Sequence, residues 1–168
     1  MSGLAGSACC ATVSLMEIVS AGTAEQIAMV RQLFEEYWQS FGFTPCFQNF
    51  AAEVAGLPGY YAPPSGRLAL AMVGAEPAGC VALRSLDQWR AEAKRLYVRP
   101  QFRGEGAGLA LLKWVIGEAR TAGYREMVGD TMPVMRQALA MYERLGFQFT
   151  GPYSPDATPG AIYLRLVL

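Results

Sequence analysis

A mixed α/β domain (α+β) is the fold class this sequence predicts, on three observations. Helix-period apolar patterns alternate along the chain with short apolar runs of strand length. One stretch, Leu96 to Leu109, reads as strand, proline turn, alternating glycines and then helix. Finally, 168 residues at 52% hydrophobic content suffice for one buried core, and neither an internal repeat nor a long linker divides them.

Taken in order, residues 1–15 are small and weakly apolar, without the basic start or Leu-rich core of a signal peptide. They are expected to be a disordered leader, with Met16 an alternative start and 16–168 a single domain. Glu17 to Ser20 is a short strand. Thr23 and Gln26 make a capping box for a helix whose apolar face is Ile27, Val30, Phe34, Tyr37, Trp38 and Phe41, ended by Gly42. Such an aromatic stripe is core first, and pocket wall second. A shorter helix is expected from Phe47 to about Leu57, and the Pro/Gly/Tyr-rich segment 58–66 is a loop. Arg67 to Val73 and Ala78 to Arg84 form a hairpin, and Ala91 to Val98 is the strand entering the glycine stretch. A helix follows with Leu109, Leu112, Val115, Ile116 and Ala119 on its face. Arg125 to Asp130 is a strand. Pro133 fits the first turn of a last helix, with Thr131 as cap and Val134, Ala138, Met141 and Leu145 buried. Phe147 to Thr150 and Ala161 to Leu168 close the chain as strands, and the apolar last one could pair with another copy as a homodimer.

The glycine stretch carries the functional signal. Gly104, Gly106 and Gly108 allow positive φ and leave no Cβ between amides and a ligand. The helix that begins there offers unpaired N–H groups and the positive end of its dipole, an anion cradle to which Arg103 adds a charge. The dinucleotide fingerprint fails, because its last glycine falls at Leu109. No triphosphate-loop Gly-Lys-Ser/Thr run exists either.

Composition removes whole classes of function. Fourteen basic and fourteen acidic residues leave no overall basic field for nucleic acid. No apolar run reaches the roughly 18 residues of a membrane span. The absence of histidine excludes His triads, His metal ligands and a histidine base. Cys9, Cys10, Cys46 and Cys80 lack Cys-x-x-Cys spacing, so no metal site is expected. Cys80 reads as a core residue, Cys46 has no neighbouring base to make it a nucleophile, and unpaired thiols fit a reducing, cytoplasmic setting.

Arg103-x-x-Gly106-x-Gly108 directly after a strand resembles the acetyl-CoA pyrophosphate loop of the GNAT N-acetyltransferase superfamily. Ala138-x-x-x-Tyr142-x-x-x-Gly146-Phe147 is similar to a second segment of that superfamily, and Glu92 to Val98 to its fourth strand. The element order agrees over about residues 16–168. The resemblance implies a mixed central sheet of about six to seven strands flanked by about four helices. It implies acetyl-CoA as co-substrate, no metal, and a small-molecule or peptide amine as acceptor. Leu96, Tyr97 and Val98 would run beside the pantetheine arm, and amides of Arg103, Gly104, Glu105, Gly106, Ala107, Gly108 and Leu109 would hold the pyrophosphate. One departure stands out: Met135 occupies the position where the family often has Asn.

Acyl transfer to an amine needs a neutral amine. A lysine-like amine of pKa about 10.4 lies ~3.4 units from neutrality, a deficit of about 4.6 kcal/mol. Glu92, early in the fourth strand, is the base the resemblance implies, although Lys94 on the same face could pair with it. Tyr142 is the implied acid for the departing thiolate, with a core tyrosine as the plainer alternative. Arg84, Asp130 and Tyr153 lie at strand ends or in the late loop, where specificity is often built, and read first as structural or surface residues. A non-catalytic acyl-CoA sensor and a nucleotide-phosphate enzyme are the alternative functions. The second lacks a loop lysine and a carboxylate cluster.

Overall fold

Strand β1 (Met16–Ser20) lies at one edge of a seven-stranded sheet, and the chain leaves it at once for the helical layer. The computed structural model describes residues 15–42, 49–155 and 157–168. Helix α1 (Ala24–Gln39) starts with the expected capping box: the Thr23 side chain accepts from the Gln26 amide, and the Gln26 side chain accepts from the Thr23 amide. After α2 (Phe50–Ala55) come the antiparallel strands β2 (Arg67–Val73), β3 (Glu76–Ser85) and β4 (Arg90–Val98). Helix α3 (Ala107–Thr121), strand β5 (Glu126–Thr131), helix α4 (Arg136–Arg144), β6 (Gln148–Thr150) and β7 (Ile162–Val167) complete the chain.

The sheet order is β1-β2-β3-β4-β5-β7-β6, antiparallel throughout except for β4 and β5. Alternation along the strands sends side chains to two cores. Ala69, Val81, Leu83, Ala91 and Ala93 pack under α3 against Leu111, Leu112 and Val115. On the opposite face Leu68, Leu70, Cys80 and Ala82 pack against Val30, Leu33, Phe34 and Trp38 of α1. Cys80 is wholly buried, as a core residue should be, and burial pushes its thiol far up.

The site is prepared where β4 and β5 part. They pair only from Arg90 to Glu92 against Glu126 to Val128. Further along, Arg95 takes a left-handed φ of 57°, and the β3–β4 register shifts between Cys80 and Ala82. This bulge bends β4 away from its parallel neighbour and opens a cleft between them.

Several expectations need correction. Helix α4 begins at Arg136, because Met132 to Met135 form a hydrogen-bonded turn instead of a first helical turn. Thr131 therefore ends β5 rather than capping α4, its hydroxyl donating to Met135 Sδ at 3.3 Å, and Val134 is 80% exposed. The 58–66 loop contains a single 3-10 turn that buries Tyr61, edge-on to Phe34, while Tyr60 stays in solvent. Strand β7 lies between β5 and β6, so the last strand is not the sheet edge. The expected start of α2 at Phe47, the leader up to residue 14, and Cys9, Cys10 and Cys46 lie outside the described residues.

Candidate functional site

Beyond Val98 the chain is anchored before it turns. The Arg99 guanidinium binds both oxygens of Glu36 on α1, at 2.8 and 2.9 Å, and also donates to the Pro77 carbonyl. A 3-10 turn at Pro100–Phe102 leads to Gly104 and Gly106, whose φ values of 86° and 87° are left-handed. Gly106 caps α3 without any side-chain hydrogen bond. The first intrahelical bond returns from Ala110 to the Gly106 carbonyl, so the amides of Ala107, Gly108 and Leu109 are left for a ligand. No acidic residue occupies this first turn to compete for the dipole.

Gly108 works differently from the other two. Its φ is ordinary, and a Cβ there would lie 3.3 Å from Met141 Cε and 3.7 Å from Val98 Cγ2. It is a close-packing glycine that lets α3 approach α4 and the end of β4. Arg103 donates from Nε to the Val98 carbonyl at 2.9 Å and lies over the Tyr97 ring at 6.0 Å, which sets its guanidinium beside the cradle. The Tyr97 side chain itself turns to the α1 face, where it packs on Tyr37, whereas Leu96 and Val98 pack on the α3 side.

The cleft between the parted strands is bounded by Ala93 to Leu96 on β4, by Asp130 and Thr131 on β5, and by Tyr142 on α4. Tyr142 is 4% exposed and stands edge-on to Phe147, with ring centres 4.9 Å apart. Burial pushes its phenol well above the ordinary value, so it is a protonated donor at neutral pH. Its hydroxyl has no hydrogen-bond partner among the described residues. It is a core tyrosine and a cleft-lining one at once.

A second cavity of about 420 Å³ adjoins the first through Lys94, Arg95, Asp130 and Thr158, and Glu92 lies on its wall. The Glu92 side chain is only 3% exposed, and the pairing with Lys94 that the shared face suggested is formed. Oε2 accepts from Arg84 Nε, while Oε1 accepts from Lys94 Nζ at 3.3 Å and from the Tyr153 hydroxyl at 3.0 Å. The Tyr153 hydroxyl also lies 3.5 Å from Asp130 Oδ1, and Thr158 donates to Asp130 Oδ2 at 3.3 Å. Arg84, Asp130 and Tyr153, read from the sequence as structural or surface residues, are thus gathered around the expected base. Burial, with Glu92 and Asp130 beside it, drives the Tyr153 phenol far up.

Sequence reading missed the floor of this cavity. Glu53 of α2 takes two hydrogen bonds from Arg95, at 2.6 and 2.9 Å, and a third from Tyr61 at 2.7 Å. Arg95 lies against the stacked rings of Trp38 and Phe50, 5.1 and 5.2 Å from their centres. Burial raises the Glu53 carboxyl, but the Arg95 hydrogen bonds and charge outweigh it and leave it below the usual range. Nothing in the sequence pairs residues 42 positions apart, and a left-handed arginine within a strand has no local signature. Among the described residues no group of three His, Cys, Asp or Glu side chains could hold a metal ion, and no helix is long and apolar enough to cross a membrane.

Residues 27–147 match the acetyltransferase (GNAT) family. An uncharacterized N-acetyltransferase of Schizosaccharomyces pombe is 38% identical over 138 residues, covering 81% of this chain and 85% of that protein. An acetyltransferase structure from Streptococcus agalactiae superposes with a TM-score of 0.76 at 19% identity, over 91% of this chain and 98% of its own. A GNAT family acetyltransferase from Elizabethkingia anophelis with acetyl-CoA bound superposes at 0.58 with 23% identity, over 91% and 98%. The sequence match runs through the same residues that build the parted strands and the glycine turn, and the chain belongs to the GNAT acetyltransferase family.

Proposed function

We propose that this acyltransferase moves an acetyl group from acetyl-CoA to a primary amine by direct attack within a ternary complex. The observation that carries the reading is the cleft along the parted end of β4, which adjoins the cavity that holds Glu92, on the strand that leads into the α3 cradle. The glycine turn fits a diphosphate. It presents free first-turn amides, Gly106 has open space where a Cβ would stand, and Arg103 lies alongside. Amides from Gly104 to Leu109 would hold that group, the expected Arg103 amide being bonded instead to the Pro100 carbonyl, and the backbone of Leu96 and Val98 would receive the pantetheine arm. Acetyl-CoA supplies an acetyl thioester, as in the Elizabethkingia relative that carries it.

Glu92 is assigned as the base. Both of its oxygens are already engaged, so it takes the ammonium proton through a water or by giving up one contact. The neutral amine attacks the thioester carbonyl, the N–C bond forms, and the C–S bond breaks. Amides of β4 near Val98 polarise the carbonyl oxygen. The thiolate takes a proton from the Tyr142 hydroxyl, and the second proton leaving the nitrogen passes through a water to the Tyr142 oxygen and restores the phenol. Removing the ammonium proton is the larger burden, about 4.6 kcal/mol for an ordinary alkyl amine against about 2 kcal/mol for a thiolate of pKa about 8.5. A cytoplasmic setting suits a buried free thiol such as Cys80.

The test is thiol release from acetyl-CoA against a panel of amines. Glu92→Gln should lower kcat by about 100-fold or more and Tyr142→Phe by about ten-fold, with acetyl-CoA affinity kept in both. Calorimetric acetyl-CoA binding without release from any amine would favour the sensor reading. Absence of binding would end the co-substrate assignment.

A further inference from the structure

The cavity beside Glu92, at about 420 Å³, has the size of a small-molecule site. Among the described residues its wall carries three cations, Arg84, Lys94 and Arg95, and three anions, Glu53, Glu92 and Asp130. They do not cancel evenly. Arg95 and Glu53 neutralise each other in the floor. Glu92 faces two cations, Arg84 and Lys94, so among the described residues one positive charge there is uncompensated. Arg84 commits only Nε, and its two Nη atoms carry no hydrogen bond among the described residues. Asp130 is the converse case: its contacts are hydroxyls, from Tyr153 and Thr158, and it has no ion pair among the described residues.

A ligand that satisfies both ends carries one negative and one positive group. Building on the acetyl-transfer reading, we propose that the acceptor is a zwitterionic amino acid, its carboxylate held by the Nη atoms of Arg84 and its ammonium by Asp130. Guanidinium recognises a carboxylate in a planar, two-bonded way. Asp130 lines both cavities, so the ammonium is held at the junction with the cleft, where a thioester laid along β4 would end. The Tyr153 hydroxyl touches Asp130 and Glu92 together and connects the ammonium anchor with the base. The ammonium gives one proton to Glu92, and the nitrogen then attacks the acetyl carbonyl. The N–C bond forms as the C–S bond breaks, the thiol leaves with the proton supplied by Tyr142, and the nitrogen's second proton restores the Tyr142 phenol through a water. The carboxylate remains on Arg84 throughout and takes no part in bond making.

Thiol release from acetyl-CoA tests this with matched acceptors: free amino acids, the same amino acids as carboxamides, and diamines. Wild-type enzyme should use the best free acid with kcat/KM at least about ten-fold above its carboxamide. Arg84→Gln should erase that preference by raising KM for the acid, and Arg84→Lys should restore part of it. Asp130→Asn should raise KM for acids and carboxamides alike. Carboxamides or diamines used as well as the acids by the wild type would overturn the zwitterion assignment and leave acetyl transfer standing. Release from none of the three classes, with acetyl-CoA bound, would overturn acetyl transfer and this inference with it. The wild-type ratio alone decides, even where a variant fails to fold.

Discussion

Tyr153 concentrates more consequence in one hydroxyl than any other side chain of the late loop. It reaches Glu92 at 3.0 Å and Asp130 at 3.5 Å, and its ring is held edge-on to Tyr163 with centres 5.6 Å apart. Because burial and the two acidic neighbours raise its phenol far above neutrality, it is a protonated donor at neutral pH. Tyr153→Phe keeps the ring packing and removes only the donor, leaving Lys94 alone on Glu92 Oε1. We expect kcat/KM to fall about ten-fold, the loss typical of a hydrogen bond to a charged group, with a melting temperature within about 2 °C of wild type. Unchanged turnover together with a lowered melting temperature would make Tyr153 a packing residue alone. Glu92 and Tyr142 could be named as candidates from the sequence because the segments that carry them, the fourth strand and the spaced Tyr-Gly-Phe segment, resemble those of the superfamily. Tyr153, Arg84 and the Glu53–Arg95 pair were not legible as site residues. Their roles exist only once distant segments meet, and no spacing encodes that meeting.

The start of α3 separates two uses of glycine. At Gly106 the φ of 87° is one that an alanine reaches only at about 1–2 kcal/mol, although nothing crowds the position of a Cβ. At Gly108 the φ is ordinary, and the contact is with the flexible end of Met141, which can shift. Gly106→Ala should therefore destabilise by about 1 kcal/mol and raise the acetyl-CoA Kd about ten-fold or more, since relieving the strained φ shifts the amides that open α3. Gly108→Ala should cost less on both counts. Denaturant melts and calorimetric titration with acetyl-CoA check the order, and a larger loss of affinity in Gly108→Ala would show that α3–α4 packing governs the cradle. Most elements were readable in the same way, from period and punctuation: the capping box of α1, the glycine stretch before α3, and the hairpin of β2 and β3. The entrance to α4 was misread because Pro133 suits a first helical turn as well as a free one. The chain uses it in a free turn and leaves Val134 in solvent. The parting of β4 from β5 had no sequence signal, because the bulge that produces it is centred on Arg95, a residue type without turn preference.

Across the whole molecule, two ion pairs fasten the helical layer of α1 and α2 to β4 and the residues just beyond it. Glu36 of α1 holds Arg99 just past the end of the strand, and Glu53 of α2 holds Arg95 at the bulge. The Glu53–Arg95 pair is the deeper, with side chains 12% and 5% exposed, so removing one partner strands a buried charge. Glu53→Gln should cost about 3 kcal/mol at neutral pH, or roughly 6–12 °C in melting temperature for a domain of this size. The same pairing sets an acid limit. For Glu53 burial raises the carboxyl but Arg95 lowers it further, and for Glu36 the Arg99 hydrogen bond lowers it outright, so both folded values lie below the ordinary 4.5. A carboxylate whose folded value is depressed stabilises fully above its unfolded value, and that contribution disappears as pH falls through the folded one. Wild-type stability should therefore hold from neutral pH down to about pH 5 and decline steeply below the ordinary carboxylate range near 4.5. The Glu53→Gln protein starts lower and should decline less steeply over the same acid range, because one of the two coupled protonations is gone. Melting curves of both proteins from pH 7 to pH 3 provide the comparison. Parallel curves, offset but equal in slope, would show that Glu53 contributes through packing rather than charge and that the acid limit is set elsewhere.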